Sequence, residues 1–142
     1  MRTSLIALAV VAALGLRART AHAEEVLIIV NPSVEATDLT RSQISAIYLL
    51  KTTVWPDGQR IVPVNREATS GTRAEFTADV LREDNATLAT YWNEMHFKGR
   101  MPPLIQESDQ AVLAFIQKVP GSIGYIRAST AHPDVKVLGR VP

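Results

Sequence analysis

The stretch IVPVNREATSGTRAEF, residues 61–76, joins a short apolar run to the start of a helix. The run at residues 61–64 follows the turn signal Trp-Pro-Asp-Gly at residues 55–58 and is rich in β-branched side chains, so it predicts a strand. Pro63 lacks an amide hydrogen, which favours an edge strand or a bulge. The apolar spacing after Thr72 predicts a helix to about Arg82. A strand, a short loop and a helix in this order are typical of an α/β domain.

Three further strands are predicted around this unit. The apolar run at residues 26–30 is continuous, so we expect a strand that is buried on both faces of a mostly parallel sheet. Runs at residues 122–126 and 135–138 are expected to complete the sheet as its closing strands. The sequence therefore predicts an α/β fold, with a mixed, mostly parallel sheet flanked by helices.

Three further helices are predicted from capping residues and helical spacing. Thr40 and Gln43 form a capping-box pattern in front of one helix, and Asn85 and Ser108 are expected to cap two others. The helix after Asn85 carries an apolar stripe that we expect to face the core: Leu88, Tyr91, Trp92 and Met95.

The first 23 residues have the pattern of a secretory signal peptide. Arg2 precedes an uncharged apolar run at residues 5–16, and residues 21–23 form an A-x-A cleavage site. The run is too short to span a bilayer, which needs about 20 residues. We expect residues 1–23 to be removed on export to the periplasm and residues 24–142 to form a single domain.

Charge and composition exclude several classes of function. Removing residues 1–23 takes away three arginines and no acid, which leaves twelve basic and fourteen acidic residues and a net charge of −2. Nucleic acid is therefore not expected as a partner, because its binding depends on a broad cationic face. The chain has no cysteine, which excludes disulfides, thiolate nucleophiles and cysteine metal sites.

A local anion site is predicted where the helix after the strand begins. The first amides of a helix lack internal acceptors, and the helix dipole adds a partial positive charge there. Ser70 and Thr72 carry hydroxyl groups that can donate to an oxyanion, and Gly71 leaves the backbone accessible. Arg66 adds a planar guanidinium suited to phosphate or carboxylate.

A purely structural interpretation explains part of the same pattern. Thr72 and Glu75 have capping-box spacing, so the Thr72 hydroxyl would serve the helix and Glu75 would bond back to its first amides. Arg66 would then pair with Glu67 or another surface acid. The cap and the anion site are compatible, and both interpretations stay open at this point.

Catalytic and metal chemistry find little support. Ser70 lacks the G-x-S-x-G pattern of a nucleophile and has no linked base. Glu94 and His96 are two residues apart, so on a helix they point in different directions and make a poor metal pair. The phosphate-loop and dinucleotide-binding glycine motifs are absent. We expect no enzyme, no cofactor and no metal site.

Four motifs occur in the order and spacing of a known family. They cover most of the chain after residue 23, and together they resemble the phosphate-binding proteins of bacterial ABC phosphate importers, in the periplasmic binding protein-like superfamily. The motifs are LTRSQISAIY at residues 39–48, Lys51 with Trp55, Arg66-x-x-x-Ser70-Gly71-Thr72 with Phe76, and PGSIGYI at residues 120–126.

The resemblance implies a fold and a set of ligand contacts. In that family two α/β lobes close around dehydrated phosphate, and this chain resembles a single lobe. By position, Arg66 would supply a guanidinium donor, Ser70 and Thr72 hydroxyl donors, and Gly71 a backbone amide. The family's N-terminal phosphate loop and its aspartate have no counterpart in this sequence.

Two functions follow as expectations. The first is a periplasmic solute-binding protein that contacts phosphate or a similar oxyanion and works with a membrane ABC permease or another envelope protein. The second is a non-enzymatic accessory or interaction domain of the envelope that kept the scaffold and lost ligand binding. The oligomeric state stays open.

Overall fold

A computed structural model describes residues 24–142, and the predicted signal peptide lies outside these residues. The described chain forms one five-stranded sheet with helices on both faces. Its strands are β1 (Val26–Val30), β2 (Val62–Arg66), β3 (Leu104–Gln106), β4 (Ser122–Arg127) and β5 (Lys136–Val141). Its helices are α1 (Arg41–Tyr48), α2 (Gly71–Phe76), α3 (Asn85–Phe97) and α4 (Asp109–Lys118), and a π-helical turn (Thr77–Leu81) extends α2.

The strand order in the sheet is β3-β2-β4-β1-β5. Strand β2 pairs in parallel with β3 and β4, whereas β1 pairs antiparallel with β4 and β5. Four of the five strands therefore run in one direction, and β1 alone runs against them. The predicted α/β class and mixed, mostly parallel sheet are confirmed, although the apolar run expected among parallel neighbours is the antiparallel strand.

Strand β1 is buried on both faces, as its unbroken apolar run predicts. On one face Val26, Ile28 and Val30 pack in a core with residues of α1 and α2. On the other face Leu27 and Ile29 pack with Val112 and Ile116 of α4 and with neighbouring strands. Because side chains alternate along a strand, one apolar segment closes both cores.

Side-chain caps begin all four helices, but two of the caps differ from the prediction. Thr40 and Gln43 form the expected capping box, and Ser108 caps α4. Asp84 caps α3 in place of Asn85, which is the first helical residue. Ser70, not Thr72, caps α2, so the cap of that helix lies two residues earlier than predicted.

Pro63 lies in an interior strand, so the predicted edge strand is wrong. The Val62 amide donates to the Gly121 carbonyl on the β4 side. Amides alternate sides along a strand, so the Pro63 nitrogen faces β3, whose pairing with β2 begins only at Val64. The missing donor therefore interrupts no ladder. The edge strand beside β2 is β3, which was not predicted because it is three residues long and follows two prolines.

Helix α3 does not bury the apolar stripe that its sequence predicts. Met95 is its one buried side chain, and Leu88, Tyr91 and Trp92 are only half-buried. The Tyr91 hydroxyl donates to the Leu49 carbonyl at the end of α1. The helix therefore touches the domain along one side and leaves most of its surface in solvent.

Two glycines with positive φ provide a test of the β2–β4 junction. Gly121 has φ +75°, and a Cβ added to it would overlap with the Arg60 carbonyl oxygen. Gly58 has φ +88°, and a Cβ added to it would meet no atom within 4 Å. We expect Gly58→Ala to lose about 1 kcal/mol of unfolding free energy through backbone strain alone. Gly121→Ala should lose about 3 kcal/mol because a steric overlap is added. Urea unfolding measures both, and equal losses would contradict the predicted overlap.

Candidate functional site

The candidate site lies at the carboxyl edge of the sheet, the side at which the parallel strands β2 and β4 end. Arg66 is the last residue of β2, and Arg127 is the last residue of β4. Their side chains are 11% and 21% exposed, respectively. Two partly buried guanidinium groups therefore lie at the carboxyl ends of neighbouring strands, where open α/β sheets place their ligands.

Arg66 is held by two acids. Its Nε and Nη2 donate to the two carboxylate oxygens of Glu67 at 2.9 and 3.0 Å, and its Nη1 donates to Asp109. The bond to Glu67 raises the pKa of Arg66 and lowers that of Glu67. Of the five guanidinium N–H donors, these contacts use three. Two donors are thus left over from the contacts within residues 24–142.

Asp109 connects three elements at this edge. It is the first residue of α4, and its Oδ2 accepts from the Arg127 amide and from the Thr130 hydroxyl, each at 2.9 Å. Its Oδ1 accepts from Arg66. With only 9% of its surface exposed, this carboxylate ties the ends of β2 and β4 to the first turn of α4.

The loop between β2 and α2 places the other predicted residues. The Ser70 amide donates to the Glu67 carbonyl at 3.0 Å, and Arg73 Nη1 donates to the Arg66 carbonyl at 2.8 Å, so the loop closes on itself. Ser70 Oγ accepts from the Arg73 amide at 3.3 Å and keeps its own hydrogen to donate. Gly71 is exposed.

Thr72 and Gly71 differ in what surrounds them. Thr72 is 6% exposed and Ser70 is 8% exposed, so both residues with predicted hydroxyl donors are buried. A Cβ added to Gly71 would lie 3.8 Å from Arg127 Nη2. Arg127 therefore lies beside the first residue of α2, and the structure brings a second guanidinium to the predicted anion site.

The structural interpretation of the motif is partly correct. Arg66 does pair with Glu67, as that interpretation expects. The Thr72–Glu75 capping box is wrong, because Glu75 instead binds Arg127 through two bonds of 2.5 and 3.0 Å. These bonds to Glu75 raise the pKa of Arg127.

Aromatic side chains support the site from the core. The ring of Tyr125 stacks on Phe76 at 4.0 Å between centroids, and Tyr48 meets Phe76 edge-on at 4.7 Å. The Tyr125 hydroxyl donates to Asn65 Oδ1 and accepts from the Arg66 amide at 3.2 Å. One tyrosine therefore fixes the end of β2 and helix α2 to β4.

Sequence reasoning missed Asp109, Arg127 and Thr130. Arg127 directly follows the apolar run at residues 122–126, which is a signal that could have identified it. Asp109 and Thr130 gave no such signal, because only the parallel pairing of β2 with β3 and β4 brings α4 and the turn after β4 to this edge. Within residues 24–142, no cluster of three or more histidine or acidic side chains could hold a metal ion.

The edge as a whole is balanced in charge. Arg66, Arg73 and Arg127 are the cations, and Glu67, Glu75 and Asp109 are the anions that pair with Arg66 and Arg127. An incoming oxyanion would meet guanidinium groups whose charge is already largely compensated. It would therefore have to use the remaining N–H donors or displace a carboxylate.

The mixed sheet with helices on both faces places these polar groups at the carboxyl ends of its strands, where open α/β folds bind their ligands. A family model described as a PBP superfamily domain matches residues 6–139, so the chain belongs to the PBP superfamily. The resemblance inferred from the four sequence motifs is thereby confirmed.

Solved structures similar to this chain are phosphate-binding proteins. A candidate phosphate ABC transporter substrate-binding protein of Clostridium perfringens, which contains bound phosphate, is 26% identical, with a TM-score of 0.67. An ABC-type phosphate transport receptor of Vibrio cholerae (23% identity, TM-score 0.65) and PstS of Borrelia burgdorferi (17%, 0.64) share the fold. The matches cover 81% of this chain and 44%, 45% and 46% of those chains. The chain thus spans less than half the length of these proteins.

Removing the Asp109 carboxylate should destabilise the domain much more than removing an exposed one. Asp109→Ala leaves Arg66 and the Arg127 amide without a partly buried acceptor, and we expect a loss of about 3 kcal/mol in unfolding free energy. Glu25→Ala is the matched control, since the Glu25–Arg140 pair is 48% and 62% exposed, and should cost under about 1 kcal/mol. Chemical denaturation measures both values. Similar losses in the two variants would contradict the structural role of Asp109.

Alkaline pH should destabilise the domain through Tyr125. Burial raises the pKa of Tyr125 from 10.0 to about 12. Between these values the unfolded phenol has lost its proton and the folded one has kept it, so stability falls as pH rises, by up to about 1.4 kcal/mol per pH unit. Burial also raises the pKa of Tyr48, which adds to the same fall. In Tyr125→Phe the unfolding free energy, measured by urea unfolding, should fall less steeply with pH above about pH 10. An unchanged dependence on pH would contradict this.

Proposed function

We propose that this protein is a periplasmic solute-binding-type protein that contacts phosphate or a similar oxyanion through Arg66, Ser70, Gly71 and Thr72. One observation carries the proposal: Arg66 lies partly buried at the carboxyl end of β2 with two N–H donors beyond its contacts to Glu67 and Asp109. The Ser70 hydroxyl and the first amides of α2 lie at the other end of the same closed loop.

The family supports this assignment. A similar protein contains bound phosphate, and two of the similar structures are described as phosphate ABC transport proteins. We infer a role in phosphate transport with a membrane ABC permease or another envelope protein as partner. Binding rather than catalysis is the expected activity.

The affinity should be modest for a single lobe. An anion bound to residues 24–142 without a covering surface is open to water, which screens its bonds to Arg66 and to the helix amides. A second protein surface that covers the edge would exclude that water and strengthen each bond. The same edge then explains both weak binding alone and tighter binding in a complex.

The alternative function is an accessory or interaction domain that has lost its ligand. The charge balance favours it, because Glu67 and Asp109 already compensate the charge of Arg66 in the absence of an anion. On this alternative the cluster is a structural brace at the sheet edge. The two functions differ in whether Arg66 responds to an added oxyanion.

Anion titrations of wild type and an activated variant separate these functions. Phosphate at 100 times its dissociation constant should raise the unfolding free energy by about 2.7 kcal/mol, which a thermal melt detects. Glu67→Gln removes a competing carboxylate, so it should bind phosphate more tightly than wild type. Arg66→Lys should bind about tenfold or more weakly, since it keeps the charge and loses the planar fork.

Matched controls make the result specific to the site. Arg140 is an exposed arginine that pairs with Glu25, so Arg140→Ala should leave phosphate binding unchanged. Sulfate and chloride at equal ionic strength show whether a shift is a salt effect. No stabilisation by millimolar phosphate in wild type or Glu67→Gln, or equal shifts in wild type and Arg66→Lys, would overturn the proposed anion contact and favour the accessory domain.

A further inference from the structure

Several large hydrophobic side chains of the described residues are exposed. Among residues 24–142 they lie at the end of α3, in the loop that follows it, on β3 and before β2. They are Val54 (53%), Phe97 (89%), Met101 (70%), Leu104 (52%) and Ile105 (56%). Val54, Met101 and Leu104 lie together, and exposed apolar side chains that lie together mark an interaction site more often than scattered ones do.

Three of these side chains line an open groove. Val54, Met101 and Leu104 contribute to a cavity of about 820 Å³ whose walls are residues 60–63 before and in β2 and residues 99–104 before β3. The groove therefore lies at the amino ends of β2 and β3. Arg66 is at the other end of β2, about 13 Å away at 3.3 Å per residue. The groove and the anion site are distinct.

The strand beside the groove is an unprotected sheet edge. Strand β3 is terminal in the sheet and pairs only with β2, so its other side presents unpaired backbone groups. The opposite edge strand, β5, carries the charged residues Lys136 and Arg140, which discourage pairing. Strand β3 reads Leu-Ile-Gln and has no charge. A free edge next to an apolar groove suits an extended peptide that adds a strand.

The charges around the groove indicate the chemistry of such a peptide. Arg60 and Arg100 line the groove, and no carboxylate does. The Arg100 guanidinium donates to the Leu50 carbonyl at 2.7 Å across the groove, which fixes its position. Lys51 and Lys98 are exposed and adjoin lining residues in the sequence. A ligand with carboxylate groups complements this basic border.

A second copy of the chain fits the surface poorly. A symmetric dimer formed through the groove would have to pair this surface with itself, since a two-fold interface uses the same patch on both subunits. That arrangement would bring Arg60 and Arg100 of one copy close to those of the other, and repulsion between like charges opposes it. A lipid bilayer is also disfavoured, since the unpaired backbone of β3 would have no partner in hydrocarbon.

We propose that the groove and the free edge of β3 bind an extended segment of a partner protein that carries apolar and acidic side chains on one face. Its apolar side chains fill the groove beside Met101 and Leu104, and its backbone pairs with β3. Its carboxylates face Arg60 and Arg100, which line the same groove, so the apolar and acidic residues stand at every second position along the segment. The surface is separate from the anion site, so a partner can bind while the carboxyl edge of the sheet stays open.

Fluorescence anisotropy with synthetic peptides tests the proposal on the full protein. The probe is a fluorescein-labelled peptide of about six residues, a typical strand length, in which serine alternates with valine or glutamate so that valine and glutamate share one face. One comparison peptide replaces glutamate with lysine, and another carries N-methyl groups on the amides that would pair with β3. We expect the glutamate peptide to bind about tenfold more tightly than either comparison, through charge and backbone pairing respectively.

Variants assign the binding to this surface. Met101→Asp and Arg60→Glu alter exposed side chains and should each weaken the glutamate peptide about tenfold, with unchanged melting temperature. Ala114→Asp, an exposed position on α4, is the matched control and should bind as wild type does. Phosphate-induced stabilisation should be the same in all three variants, which keeps this result independent of the anion site.

Several outcomes would overturn the proposal. Failure of the glutamate peptide to bind, or equal binding of the lysine peptide, would exclude the proposed chemistry. Sedimentation with phosphatidylglycerol vesicles that Met101→Asp abolishes, without peptide binding, would identify a membrane surface instead. Self-association of the wild type that Met101→Asp abolishes would identify a second copy as the occupant.

Discussion

Burial of β1 on both faces is the constraint on which the rest of the fold depends. Its five apolar residues have no solvent-facing side, so both faces of the sheet must be covered. Helices α1 and α2 cover one face and α4 covers the other. Since α2 follows β2 and α4 follows β3, both helices begin at the carboxyl edge of the sheet. That convergence creates the candidate site.

The site shows how one carboxylate organises a cluster of opposite charges. Asp109 is nearly buried, and three groups from separate elements donate to it: a guanidinium, a backbone amide and a hydroxyl. Such a carboxylate is tolerated in a low-dielectric environment because both of its oxygens accept hydrogen bonds. The same bonds hold Arg66 in one orientation. An arginine fixed in this way loses little conformational entropy when it binds an anion, which favours recognition.

The two ends of the sheet present different chemistry. The carboxyl edge gathers paired charges and hydroxyl groups, whereas the amino ends of β2 and β3 present exposed apolar side chains bordered by arginine. The proposed anion site and the proposed docking surface lie at opposite ends of β2, so neither obstructs the other.

The sequence by itself determined the elements whose signals are local. The unbroken apolar run of β1, the capping box at Thr40, the cap at Ser108 and the turn before β2 each depend on neighbours a few residues away, so the α/β class and most of the strands and helices followed from pattern. The motif around Arg66 likewise depends on near neighbours, and Arg66, Ser70 and Gly71 lie in or beside one closed loop at the candidate site.

Tertiary structure decided what depends on distant pairing. The reversed direction of β1, the interior position of Pro63 and the existence of β3 follow from strand order, which no local pattern encodes. The stripe on α3 stayed largely exposed because no element covers it, although its spacing favours burial. Asp109 and Arg127 reached the site through the parallel pairing of β2 with β3 and β4. Asp109 and Arg127 are 43 and 61 positions from Arg66 along the chain. They became its neighbours because parallel strands end at a common edge.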